Sequence, residues 1–146
     1  MALLLIKDMK LSSPPVPDRK LINPSALFHA PGFSHVAVAS GQRLVCVAGQ
    51  VAIAPDFSIV GGEDLGAQTR AAMENVGAAL EAAGASWDDV VRRTIYTLAP
   101  TEYEVITAAI EEVTGSSEHP AQTIIGVTGL AVPGLLIEIE VTALIA

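Results

Sequence analysis

Polar and apolar positions along this chain fall into two periodicities, alternation and three-to-four-residue spacing. Near its end Leu135, Ile137, Ile139, Val141, Ala143 and Ile145 share one parity, and Leu136, Glu138, Glu140, Thr142 and Leu144 share the other. Strand side chains point alternately to opposite faces, so this run predicts a strand with one core face and one face bearing two carboxylates. A second strand-like run begins at His119 and is joined to it by the Gly- and Pro-bearing connection 129–134. Over 63–83, Leu65, Thr69, Ala72, Met73, Val76, Ala79, Leu80 and Ala83 recur at helical spacing. They predict an amphipathic helix stopped by Gly84, with Gln68, Arg70, Glu74, Asn75 and Glu81 on its wetter side. A β-rich run over 90–98 predicts a strand, followed by a second helix. Thr101 and Glu104 have capping-box spacing, and Val105, Ile106, Ala109, Ile110 and Val113 form its apolar stripe up to Gly115.

The N-terminal half is less regular. Pro14, Pro15 and Pro17 interrupt any regular element, so residues 1–18 read as an arm and 19–146 as the domain. Residues 19–23 suit a first edge strand, and Pro24, Pro31 and Gly32 make a loop around Phe28 and His29. Residues 34–40 and 43–51 are rich in β-branched side chains, with Gly41-Gln42 between them as a tight hairpin turn; a short strand is expected at 57–60. This order predicts an α+β two-layer domain with both helices on one face of a mixed sheet. The other face is left without a cover, which invites self-association.

Composition sharpens this picture. The chain has 146 residues, 51% of them hydrophobic and 16% charged, a balance that favours extensive burial, including burial between subunits. A net charge of -8 repels polyanions and argues against a nucleic-acid partner. Cys46 is the only cysteine, which excludes an intrachain disulfide and multi-cysteine metal sites, and its place between Val45 and Val47 suits a small buried hydrophobe. His29, His35 and His119 lack metal-ligand spacing, so no metal or cofactor is expected. Trp87 reads as a packing anchor in its turn. The opening apolar run of about five residues is shorter than the ~7–15 of a signal-peptide core. No run of about 20 apolar residues suggests a membrane span, and the expected location is cytoplasmic.

Gly49-Gln50, the stretch AQTRAAMENVGAALEAAGASWDDVVRRTIY over 67–96, HPAQT and IEIEVTA together resemble the Rid (RidA/YjgF) family of imine/enamine deaminases, whose members often carry an endoribonuclease label. The resemblance covers roughly residues 20–146. It implies a chorismate-mutase-like fold, a homotrimer and ligand clefts between subunits. It also implies a site in which an arginine after Pro-Ala clamps a substrate carboxylate, a tyrosine and a final-strand glutamate complete the pocket, and water attacks a C=N carbon.

Carried onto this chain, the arginine position is Gln122, the tyrosine position is Phe33 and the glutamate is Glu138; an asparagine of the second helix falls on Thr107. Glutamine lacks the charge and bidentate fork of guanidinium, so a carboxylate clamp is missing, while a carboxamide suits a neutral polar ligand. Glu138 reads as the catalytic residue that positions or deprotonates water. Its bland alternative is a solvated strand carboxylate or an intersubunit ion pair with Arg92 or Arg93, and Glu140 reads as a structural or interface charge. Gln122, Phe33, Ser34 and Thr107 read as substrate-binding, against ordinary packing, or for Ser34 a turn role. The expected function is binding of a small imine, enamine or carbonyl metabolite in intersubunit clefts, with hydrolysis. The alternative is a non-catalytic small-molecule-binding or regulatory trimer, and ribonuclease action ranks last.

Overall fold

The computed structural model describes residues 18–146, so all of the expected N-terminal arm except Asp18 lies outside the described residues. Strand β1 (Arg19–Ile22) pairs antiparallel with β2 (Val36–Ala39) in a two-stranded sheet. The main sheet holds β3 (Arg43–Val51), β4 (Val90–Thr97), β5 (Ala121–Gly126) and β6 (Ile137–Ile145) in the order β3-β6-β4-β5. Strand β6 runs antiparallel to both neighbours, while β4 and β5 are parallel. A parallel pair needs a long crossover, and helix α2 (Tyr103–Thr114) supplies it. With α1 (Leu65–Ala82) this gives the expected α+β arrangement of two helices and a mixed sheet.

The alternation in β6 works as read. Ile137, Ile139 and Ala143 are fully buried and meet Met73, Val76 and Leu80 of α1 and Ile106 and Ile110 of α2 in one core. Helix α1 starts at Asp64, whose side chain accepts from the Ala67 N–H, a cap that satisfies one of the open donors of the first turn. Trp87 packs where a Cβ on Gly77 would come within 2.9 Å of its ring, so it is the anchor expected.

Several expectations fail for physical reasons. Gly41-Gln42 does not close a hairpin, because Gln42 N–H donates to the Ile145 carbonyl at 2.9 Å and β3 is taken up by β6 instead. The strand expected at 57–60 shrinks to a bridge between Ile53 and Ile59, with Phe57 at φ 67°. Thr101 caps nothing: the chain turns at 99–102 through the Glu102 N–H to Ala99 carbonyl bond, and α2 begins a residue later without a side-chain cap. Gln68 is fully buried, not on the wet side, because its amide bonds the Gly62 and Gly134 carbonyls at 2.6 and 2.9 Å and accepts from Leu136 N–H at 2.9 Å. Cys46 is exposed, not buried, since it lies opposite Thr142 on the sheet face that the helices do not cover. Among the described residues no helix is long and apolar enough to cross a membrane.

Candidate functional site

The loop 24–34 folds against α2 and β5 and leaves an open cleft of about 360 Å³ lined by Phe28, Pro31, Phe33, Tyr103, Thr107 and Gln122 among others. Gly32 makes this approach feasible: at φ 73° and with a Cβ position only 2.6 Å from Thr107 Oγ1, a side chain there would collide with α2. Phe33 is held by edge-to-face contacts with Phe28 and His35, at centroid distances of 6.2 and 5.1 Å. The His35 Nε2–H donates to the Phe28 carbonyl at 2.8 Å, which fixes the loop's other limb.

Ser34 stitches the loop to the start of β5. Its hydroxyl donates to the His119 carbonyl at 2.7 Å and its N–H to the Pro120 carbonyl at 3.0 Å. Both Ser34 donors are therefore committed within the chain, to backbone carbonyls far away in sequence, and hold the loop against the start of β5.

Behind the cleft lies a buried polar line. Arg93 is 3% exposed; its Nε–H donates to Gln122 Oε1 and its Nη2–H meets His119 Nδ1 at 2.9 Å. His119 Nε2 in turn contacts Glu111 Oε1 at 2.7 Å. Burial pulls the Arg93 guanidinium down to about 9, with the Glu111 charge opposing, so it stays protonated at neutral pH. Burial likewise holds His119 below its ordinary value; Arg93 adds to that shift and the bond to Glu111 opposes it.

Glu138 sits elsewhere. Pairing of β4 with β5 and β6 puts Arg93, Gln122 and Ile139 in rows on the helix-covered face, whereas Tyr96, Ile125 and Glu138 share the uncovered one. The Glu138 carboxylate folds over the bulge in β3, where a Cβ on Gly49 would lie 2.2 Å from Oε1. Beside it, Tyr96 O–H donates to Glu140 at 2.8 Å, and that bond, with the charges of Glu140 and Glu138, lifts the phenol above its ordinary range. On the same face Arg92 donates to Thr123 Oγ1 at 3.1 Å. Within one chain, then, Phe33, Thr107 and Gln122 come together and Glu138 does not join them. Arg93 faces away from Glu138, so of the two arginines weighed as its partners only Arg92 shares its face.

Sequence reasoning missed Tyr103, Arg93, His119 and Glu111 as parts of this neighbourhood. The signal for Arg93 was available: its parity in 90–97 places it with Ile95, on the apolar side.

Comparison with known proteins bears on this geometry. The family model described as endoribonuclease L-PSP matches residues 24–145. A RutC family protein of Pyrococcus horikoshii is 36% identical over 107 residues, which span 73% of this chain and 82% of that one. The 2-iminobutanoate/2-iminopropanoate deaminase of Salmonella typhimurium is 33% identical over 104 residues, 68% of this chain and 78% of that one. Among solved structures, the conserved Rid family protein YyfB of Yersinia pestis superposes with a TM-score of 0.82 at 39% identity, covering 88% of this chain and 99% of that chain. A family match across nearly all the described residues, joined to a shared two-helix mixed-sheet fold, means that the chain belongs to the Rid (YjgF/RutC) family.

Proposed function

We propose that residues 19–146 assemble as a cytoplasmic homotrimer whose intersubunit clefts bind a small imine, enamine or carbonyl metabolite and hydrolyse its C=N bond. The observation that carries this reading is the split of the family site across the sheet. Phe33, Thr107 and Gln122 line a cleft on the helix side, and Glu138 stands on the uncovered side. In a ring of subunits the uncovered face of one protomer meets the next in a head-to-tail contact, which is how two such half-sites join. The likeness to a relative named as an imine deaminase supports the choice of reaction.

In the proposed step a water gives one proton to the Glu138 carboxylate as its oxygen bonds the C=N carbon, and the nitrogen, which receives the π pair, takes that proton back from Glu138. The resulting amino-alcohol collapses to a carbonyl as its hydroxyl proton passes by way of Glu138 to the nitrogen, the C–N bond breaks and ammonia leaves. The carboxylate acts as general base, and the bound geometry brings water and carbon together. The test is hydrolysis of enzymatically generated imines, with and without a carboxylate, by the parent protein and by Glu138→Gln. A loss of about a hundredfold is expected for the variant; equal rates remove Glu138 from the chemistry.

A second reading, a non-catalytic ligand-binding or regulatory trimer, is favoured by Gln122 standing where the carboxylate-binding arginine is expected. Metabolites that raise the melting temperature without turnover support it.

A further inference from the structure

Donor counting settles the direction of every hydrogen bond in the line behind the cleft. A guanidinium offers donors only, so His119 Nδ1, 2.9 Å from Arg93 Nη2, is the acceptor. The imidazole proton then sits on Nε2 and is donated to Glu111 Oε1 at 2.7 Å. At the other end Arg93 Nε–H requires an acceptor, so the amide oxygen of Gln122 must face it. Turning that amide over would set NH₂ against N–H. With Oε1 taken, the group that Gln122 turns to the cleft is its NH₂, which has no partner among the described residues.

The charges in the line also close on themselves. The Arg93 cation is balanced by Glu111 through His119, and Gln122 presents no formal charge. The remaining cleft wall is largely apolar, with Phe28, Pro31, Phe33 and Ile124. A carboxylate entering such a site loses hydration without gaining a contacting cation, which is unfavourable, whereas a neutral carbonyl oxygen loses less and accepts one or two N–H bonds.

We propose that Arg93 is a positioning residue that fixes Gln122 as a donor, so that the cleft selects ligands presenting a neutral carbonyl oxygen, of amide or ketone type, over carboxylates. This rests on the cleft being the ligand site but not on Glu138 or on hydrolysis.

The test is a titration of the full chain with pyruvamide and with pyruvate, probes of nearly equal shape that differ in charge, followed by NMR at the Gln122 side-chain amide and at Thr107. The parent protein should bind pyruvamide at least about tenfold more tightly. Gln122→Glu keeps an acceptor for Arg93 and removes the donor; it should stay folded and lose pyruvamide binding. Arg93→Met releases the amide and should abolish the preference, and Arg93→Lys, which keeps a donor, should restore part of it. Gln122→Arg should invert it. Equal or tighter binding of pyruvate by the parent overturns the proposed selectivity while the cleft reading stands, and binding of neither probe overturns both. Unchanged pyruvamide affinity in Gln122→Glu, or a full preference in folded Arg93→Met, also overturns the role assigned here.

Discussion

Replacing Gln68 by leucine isolates what holds the route into β6, the strand that carries Glu138. The side chain is fully buried and makes three bonds to backbone groups: its NH₂ to the Gly62 and Gly134 carbonyls, and its oxygen to the Leu136 N–H. Leucine fills a similar volume but leaves two carbonyls and one N–H without these partners. Stranding a buried polar group costs about 1–3 kcal/mol, with carbonyls toward the lower end because they keep a second lone pair. Leucine returns about 1 kcal/mol through its more apolar surface, so a net loss of about 3 kcal/mol is expected. In urea, at fixed protein concentration, the midpoint should fall without a change in slope. In a calorimeter the melting temperature should drop by about 6–12 °C. Gln68→Glu serves as a control, since it keeps the acceptor and loses both donations. A loss below about 1 kcal/mol for Gln68→Leu refutes the view that this amide staples the connection 129–134 to α1.

Two further consequences concern the site. Gly49→Ala puts a methyl group where the Glu138 carboxylate now lies, at 2.2 Å from Oε1. Cδ and Cγ of Glu138 would also lie 2.8 Å from that methyl, so the half-buried side chain must leave its rotamer as a whole, at a cost of about 1–2 kcal/mol. Imine hydrolysis should also fall toward that of Glu138→Gln; undiminished turnover contradicts the assigned position. The second concerns pH. His119 is held below its ordinary value of 6.5 in the folded chain, so below that pH the unfolded chain binds more protons. Its contribution is complete above pH 6.5 and is lost as pH falls toward the folded value. The stability advantage of the parent over His119→Asn, measured by urea unfolding, should therefore shrink on acidification; a growing advantage contradicts the assignment of the Nδ1 lone pair to Arg93.

What could be read from the sequence was whatever repeats along a single element. The parity of 135–145 identified the core face of β6 because that strand is central and buried on one side, and α1 was legible for the same reason. The Gly41-Gln42 hairpin was misread because turn chemistry is local, whereas the ladder that captures β3 comes from residues near 145. Gln68 was misplaced because a helical period reports polarity, not whether a polar group finds buried partners. The Arg93, His119 and Glu111 line joins β4, α2 and the loop before β5, at separations of 26 and 8 residues, so the period of no single element reports it. Cys46 was judged by its neighbours in sequence, while its exposure follows from the absence of any cover on that face within the chain. The site residues themselves came from family resemblance, and what it could not convey was that Glu138 and Gln122 face opposite sides of one sheet.

That opposition makes subunit complementation the most direct test of the shared cleft. Glu138→Gln and a Gln122 variant selected as inactive are each purified, then unfolded and refolded together in equal amounts, and imine hydrolysis is measured. If each cleft takes its Gln122 wall from one protomer and Glu138 from the next, random head-to-tail trimers contain about one quarter parental clefts. Recovery of roughly that fraction of parental activity is expected. Mixed trimers that form, as judged by tagged co-purification, yet recover no activity contradict it.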